Sequence, residues 1–138
     1  MALDESHIND LFAAFGPVVV RRMFGGWGIY ADGLMFAIVT DGVIYLKADA
    51  QTIPAFEKEG LRPFTYAAKG RKQVSLSYWR MPDRLYDDAD ELARWAREAV
   101  MAAQRAAENK AAGGRRRKTA TPRRVTRQRL QLRRRSGK

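Results

Sequence analysis

The sequence has no cysteine and a single histidine. The first absence excludes disulfides, cysteine-ligated zinc and thiol nucleophiles together. The second leaves His7 without the companion imidazole or thiol that a zinc site requires. Ser75 and Ser77 have no base to activate them unless His7 reaches them, so a nucleophilic triad lacks support. No apolar run approaches the roughly 18 residues that span a bilayer. Asp4 and Glu5 precede an amphipathic segment, unlike the basic start and apolar run of a signal peptide. Together with the missing disulfides, these features point to a cytoplasmic, non-enzymatic protein with no metal, no cofactor and no membrane partner.

Two further absences divide the chain. Aromatic residues stop at Trp95 and acidic residues at Glu108. Thirteen of the 26 lysines and arginines lie between Lys110 and Lys138, so the first 109 residues hold thirteen bases against all fifteen acids, a net of −2. The overall charge of +11 therefore describes a near-neutral body with a cationic appendage. All fourteen aromatics fall between Phe12 and Trp95, where a core can form. The appendage has too little apolar surface to offset the entropy of ordering it. The expected organisation is one folded domain over residues 1–112 and a disordered Arg/Lys-rich tail over 113–138.

Within the body, Ile8, Leu11, Phe12 and Phe15 follow helical spacing, with Asp4 as N-cap and Gly16-Pro17 as the stop. A β-branched run from Val18 reaches Gly25-Gly26, which marks a bend or bulge. Asp32-Gly33 and Asp41-Gly42 are each flanked by apolar sequence and favour type I′ hairpin turns. They predict a meander of Trp27–Ala31, Leu34–Thr40 and Val43–Lys47. Asp49–Glu59 reads as a short helix that either begins late or bends at Pro54. Pro63–Tyr66 and Gln73–Trp79 read as strands around Lys69-Gly70. In the last helix Asp88 caps, Glu91 occupies the reciprocal capping-box position, and Gly113-Gly114 ends the element. The sum is an α+β fold in two layers: an antiparallel sheet of five or six strands with three helices, then the tail.

The run Arg22-Met23-Phe24-Gly25-Gly26-Trp27-Gly28-Ile29-Tyr30 resembles the opening signature of the TfoX/Sxy N-terminal domain family. Tyr45-Leu46-Lys47, Pro63-Phe64-Thr65-Tyr66 and Ser77-Tyr78-Trp79-Arg80-Met81-Pro82 agree with that family in order and spacing. The resemblance covers roughly Ile8 to Ala103. It implies a small two-layer α/β fold like that of secretion chaperones. It also implies a link to bacterial competence regulators, which promote expression of DNA-uptake genes with the cyclic AMP receptor protein. Those regulators carry a second, C-terminal domain, and here a basic tail stands in its place. The resemblance brings no catalytic residues.

The residues that invite a functional reading fall into two groups. Arg21, Arg22, Lys47 and Arg80 form a cationic patch if their strands are neighbours. Adjacent Arg21 and Arg22 must point to opposite faces, and one of them is expected near the core against a carboxylate. With Tyr30 and Trp79, the set Arg22, Lys47 and Arg80 is the expected protein-contact surface, for a transcription regulator or a second copy. Trp79 also suits the core, and a pocket near Tyr30, Lys47 and Tyr66 is conceivable. Lys69-Gly70 imitates the start of an RNP1 motif, but the aromatic positions of that motif hold Arg71, Gln73 and Ser75, so an RNA-recognition motif is rejected.

The second group is the tail: Arg115, Arg116, Arg117, Lys118, Arg123, Arg124, Arg127, Arg129, Arg133, Arg134 and Arg135. Blocks of this kind are interaction arms for nucleic acid. With no aromatic to stack bases and no fixed element to read base edges, their binding would be sequence-blind. If six to ten met phosphates, affinity would fall by about 10³–10⁵ between roughly 50 and 200 mM salt. An acidic protein is the alternative partner for the same charge.

Overall fold

Asp4 caps the first helix, its carboxylate accepting the His7 backbone N–H at 2.9 Å. The computed structural model describes residues 3–23 and 25–119. In chain order the elements are α1 (Glu5–Leu11), β1 (Val19–Met23), β2 (Gly26–Ala31), β3 (Leu34–Thr40) and β4 (Val43–Lys47). They continue as α2 (Ile53–Lys58), β5 (Pro63–Ala68), β6 (Arg71–Arg80), a 3-10 turn (Asp83–Asp87) and α3 (Ala89–Thr119). The six strands form one antiparallel sheet in the order β1-β2-β3-β4-β6-β5. This is the α+β architecture expected, with six strands and three α-helices among the described residues.

Asp32, Asp41 and Lys69 all have positive φ, as do the glycines that follow them, so the β2–β3, β3–β4 and β5–β6 hairpins each turn through a left-handed pair. The Gly25-Gly26 bend is the β1–β2 connection, with Met23 paired to Gly26, and the irregular register falls instead at Ile29/Tyr30. A Cβ on Gly26 would lie 1.9 Å from the Val39 carbonyl oxygen, so only glycine permits that approach of β2 to β3. Pro54 occupies the first turn of α2, the one place where a missing N–H costs nothing, which is why this helix starts at Ile53 and not at Asp49.

The helices cover one face of the sheet. Ile8 and Phe12 follow from α1, Phe56 from α2, and Leu92, Ala96, Ala99, Val100 and Ala103 from α3. They meet Ile29, Ala37, Val39, Ile44, Leu46 and Trp79 of the sheet. Asp88 caps α3 by accepting the Glu91 N–H at 3.1 Å. The reciprocal capping-box bond is not made, because the Glu91 carboxylate pairs with Arg84 and Arg94 and accepts from Trp95 Nε1.

One expectation fails at the far end of α3. Gly113-Gly114 does not end the helix, which continues to Thr119. Two glycines cost about 1 kcal/mol each relative to alanine, but Ala111-Ala112 before them and Arg115–Lys118 after them are strong helix formers. Gly113 has open space around it and no left-handed φ to break the turn. Arg115, Arg116, Arg117 and Lys118 therefore belong to α3, whereas Arg123, Arg124, Arg127, Arg129, Arg133, Arg134 and Arg135 lie outside the described residues. The chain divides within α3 into two units, Met1–Gln104 and Arg105–Lys138, so the expected boundary after Ala112 falls inside a helix.

Candidate functional site: the open face of the sheet

Strand pairing sets Arg21, Gly28, Ile38, Tyr45 and Arg80 in one register row across β1, β2, β3, β4 and β6. Because side chains alternate along a strand, this row lies on the face opposite the helix-covered core. Its centre is apolar and its two ends are guanidinium groups. Gly28 is buried, and a Cβ there would meet Met23 Sδ at 2.7 Å and Met35 Sδ at 2.9 Å. The glycine thus lets two flexible thioethers close over the middle of the face.

Aromatic rings carry the cations. The Arg21 guanidinium lies 5.8 Å from the Tyr30 ring centroid, and Lys47 Nζ lies 5.0 Å from that of Tyr78. Arg80 reaches Asp83 at 3.5 Å, an exposed pair that contributes little. Burial pushes the Tyr78 hydroxyl up to about 12, with Tyr30 adding to the effect. Burial also lowers the Lys47 ammonium, and the nearby Asp49 carboxylate opposes that shift. Both directions follow from the partial burial of these two side chains on this face.

The β5–β6 hairpin borders this face. A register irregularity between Pro63 and Phe64 bends it, and the Phe64 ring comes 4.8 Å from Tyr45 while lying parallel to Tyr66 at 5.7 Å. Between hairpin and sheet runs a groove of about 730 Å³, lined by Met23, Met35, Ile38, Phe64, Tyr66 and Tyr78 among others. A separate cleft of about 600 Å³ lies between α2 and α3, with Lys47, Phe56, Trp95 and Met101 in its walls.

The structure sorts the expected contact residues. Tyr30, Lys47 and Arg80 share the open face, half-buried, together with Arg21. Arg22 points the other way and stacks over Trp27 at 5.0 Å, while Trp27 Nε1 donates to the Leu3 carbonyl at 3.1 Å. Neither Arg21 nor Arg22 is buried against a carboxylate: both are exposed and rest on rings. Trp79 leaves the contact set. It is 6% exposed, packs 6.0 Å from Phe56, and donates Nε1 to the Leu76 carbonyl. Tyr66 lines the groove, whereas Lys47 lines the cleft.

Sequence reading missed Tyr45 and Phe64, whose place on this face depends on a bend at Pro63. It also passed over the cations of the hairpin as a set. Their signal was present: Gly60–Pro82 holds Arg62, Lys69, Arg71, Lys72 and Arg80 and no acid. Among the described residues, no cluster of three acidic or imidazole groups is placed to hold a metal, and no helix is long and apolar enough to cross a membrane.

The residues that build this sheet match a known sequence family. The model of the TfoX N-terminal domain matches residues 10–103. The chain belongs to the TfoX N-terminal domain family. Protein Sxy of Escherichia coli (strain K12) is 31% identical over 95 residues, which cover 69% of this chain and 45% of Sxy. DNA transformation protein TfoX1 of Aliivibrio fischeri (strain ATCC 700601 / ES114) is 32% identical over 71 residues, covering 49% of this chain and 34% of TfoX1. The chain thus spans less than half the length of either relative. The TfoX match ends at residue 103, close to the limit of the first structural unit at Gln104.

Proposed function

We propose that this TfoX-type protein is a non-enzymatic regulatory accessory of the bacterial cytoplasm. Its sheet face docks a protein partner, and its C-terminal segment holds the assembly on nucleic acid without reading sequence. The observation that carries the docking half is the row from Arg21 to Arg80, with apolar and aromatic groups at its centre and cations over rings at its margins. Aromatic residues, methionine and arginine around an apolar centre form the composition of binding hot spots. The nucleic-acid half rests on thirteen cations without an acid from Lys110 onward. The name of the Aliivibrio relative ties that protein to DNA transformation. By family, the setting we infer for this chain is control of DNA uptake or of transcription, with a transcription regulator as the partner.

The test changes Arg115, Arg116, Arg117, Lys118, Arg123 and Arg124 to glutamine in the full chain. Affinity for random-sequence duplex DNA at about 50 mM salt should fall by at least tenfold, and the slope of log K against log salt should flatten by about 5. Unchanged binding ends the nucleic-acid half. Pull-downs with and without nuclease examine the docking half. A partner that survives nuclease and is lost with Arg21→Glu/Arg80→Glu is held by the sheet face, whereas survival of both treatments removes that face from the reading.

A further inference from the structure

Beyond the groove, β5 and β6 form a two-stranded ribbon with no third strand among the described residues. Five register pairs, from Phe64↔Ser75 to Ala68↔Arg71, join them to each other, while β6 meets β4 only at Tyr78, Trp79 and Arg80. At about 3.4 Å per residue these five pairs extend roughly 17 Å. Residues Thr65–Ala67 and Lys69–Val74 are exposed. Val74 and Leu76 keep more than half their surface in water, at 55% and 63%. An isolated hairpin is marginal in water, so a ribbon with this little support gains from a partner.

Its charge has one sign. Lys69, Arg71 and Lys72 cluster at the tip, all exposed, and none has an ion-pair partner among the described residues. The turn adds a second observation. Asp32, Asp41 and Lys69 occupy equivalent positions in their hairpins, with φ of 51°, 53° and 55°. Aspartate suits that left-handed position because its short side chain bonds to the local backbone; lysine has no such compensation. The least supported hairpin thus gives up turn stability and places a cation at its apex.

We propose that the β5–β6 hairpin is a contact arm for duplex DNA, with Lys69, Arg71 and Lys72 on backbone phosphates and the ribbon entering the major groove. A two-stranded β-ribbon is one of the two elements that the major groove of B-form DNA admits, at about 12 Å wide. Alternation sets Arg71 and Lys72 on opposite faces of the ribbon, so one can reach the phosphates of each groove wall. The deep, narrow major groove of A-form RNA excludes such an element. This arm lies within Met1–Gln104 and does not depend on the C-terminal segment.

Salt titrations of the full chain with random-sequence duplex DNA test it, comparing Arg71→Ala/Lys72→Ala with the matched surface pair Lys58→Ala/Arg97→Ala. Loss of two phosphate contacts flattens the salt slope by about 2 and weakens binding roughly tenfold, and the matched pair leaves both unchanged. Equal effects from the two pairs overturn the arm, as does an arm pair without effect. Repeating the comparison with the C-terminal arginines changed to glutamine reads arm and tail separately. A third variant guards against a folding artefact. Lys69→Asp restores the residue of the other two turns, so its thermal midpoint should hold or rise while DNA affinity falls. A well-folded Lys69→Asp protein with undiminished affinity overturns the proposal. So does equal, arm-dependent binding of double-stranded RNA or of an acidic polypeptide such as polyglutamate.

Discussion

β3 and the β5–β6 hairpin belong to one sheet and use the same kind of turn, yet they differ in every measure of support. Phe36, Ala37, Ile38 and Val39 are buried in succession, so β3 is shielded on both faces, with β2 and β4 completing its hydrogen bonds. The hairpin ends the sheet, pairs mainly with itself, and exposes Tyr66, Val74 and Leu76. Both segments have sequences that favour strands. Position in the strand order, more than intrinsic preference, decides which one becomes core and which stays available to partners. The same division separates burial from exposed charge at this edge of the sheet, because β3 is buried while Lys69, Arg71 and Lys72 of the hairpin are exposed.

The sharpest way to break that comparison is to truncate a side chain in each region. Phe36→Ala removes a fully buried ring that meets Phe12 at 5.6 Å, and should cost about 3–5 kcal/mol in a denaturant titration. Leu76→Ala removes an exposed side chain and should stay within about 0.5 kcal/mol. A comparable loss at both sites would mean that the hairpin is packed as tightly as the meander.

Glycine gives the next largest contrast. Gly26→Ala forces a methyl group against the Val39 carbonyl oxygen, a backbone atom that cannot rotate away, and should destabilise by about 3 kcal/mol. Gly70→Ala meets no atom within 4 Å and suffers only the left-handed φ of 76°, for about 1 kcal/mol. Thermal or urea unfolding of the two variants orders them. If Gly70→Ala were the worse, crossing distance would not be the reason for glycine at position 26.

The parts legible in the sequence were those governed by local rules. Asp32-Gly33 and Asp41-Gly42 define β3 and β4 to the residue, since a two-residue turn leaves no slack in register. Pro54 signals either a late start or a bend in α2, and the structure shows the late start, at Ile53. Alternation separates Arg21 from Arg22, although it does not say that each would find a ring. Tyr45 beside Phe64 depends on β6 lying between β4 and β5, a long-range pairing with no local signature. Gly113-Gly114 misled in the other direction, because a breaker is judged against its neighbours and these are alanine and arginine. The ion pairs of Arg84 with Glu59 and Glu91, which tie the 3-10 turn to α2 and α3, were likewise out of reach.

The smallest effect tests the seam between the two regions, where Tyr78 pairs with Lys47 and β6 leaves the meander. Its hydroxyl is held neutral up to about 12 by burial, against an ordinary value of 10.0. Below pH 10 the ring is protonated whether the chain is folded or not, and it contributes nothing to the pH dependence. Between about 10 and 12 the unfolded chain releases this proton and the folded chain keeps it. Stability should therefore fall as pH rises through that window. The loss should be smaller than the full shift implies, since water still reaches part of the ring. Tyr78→Phe removes the titrating group while keeping the ring under Lys47, so the difference in urea midpoint between variant and parent should widen in the variant's favour above pH 10. If the two curves stay parallel to pH 12, water reaches this hydroxyl freely, and the seam is as open as the hairpin it supports.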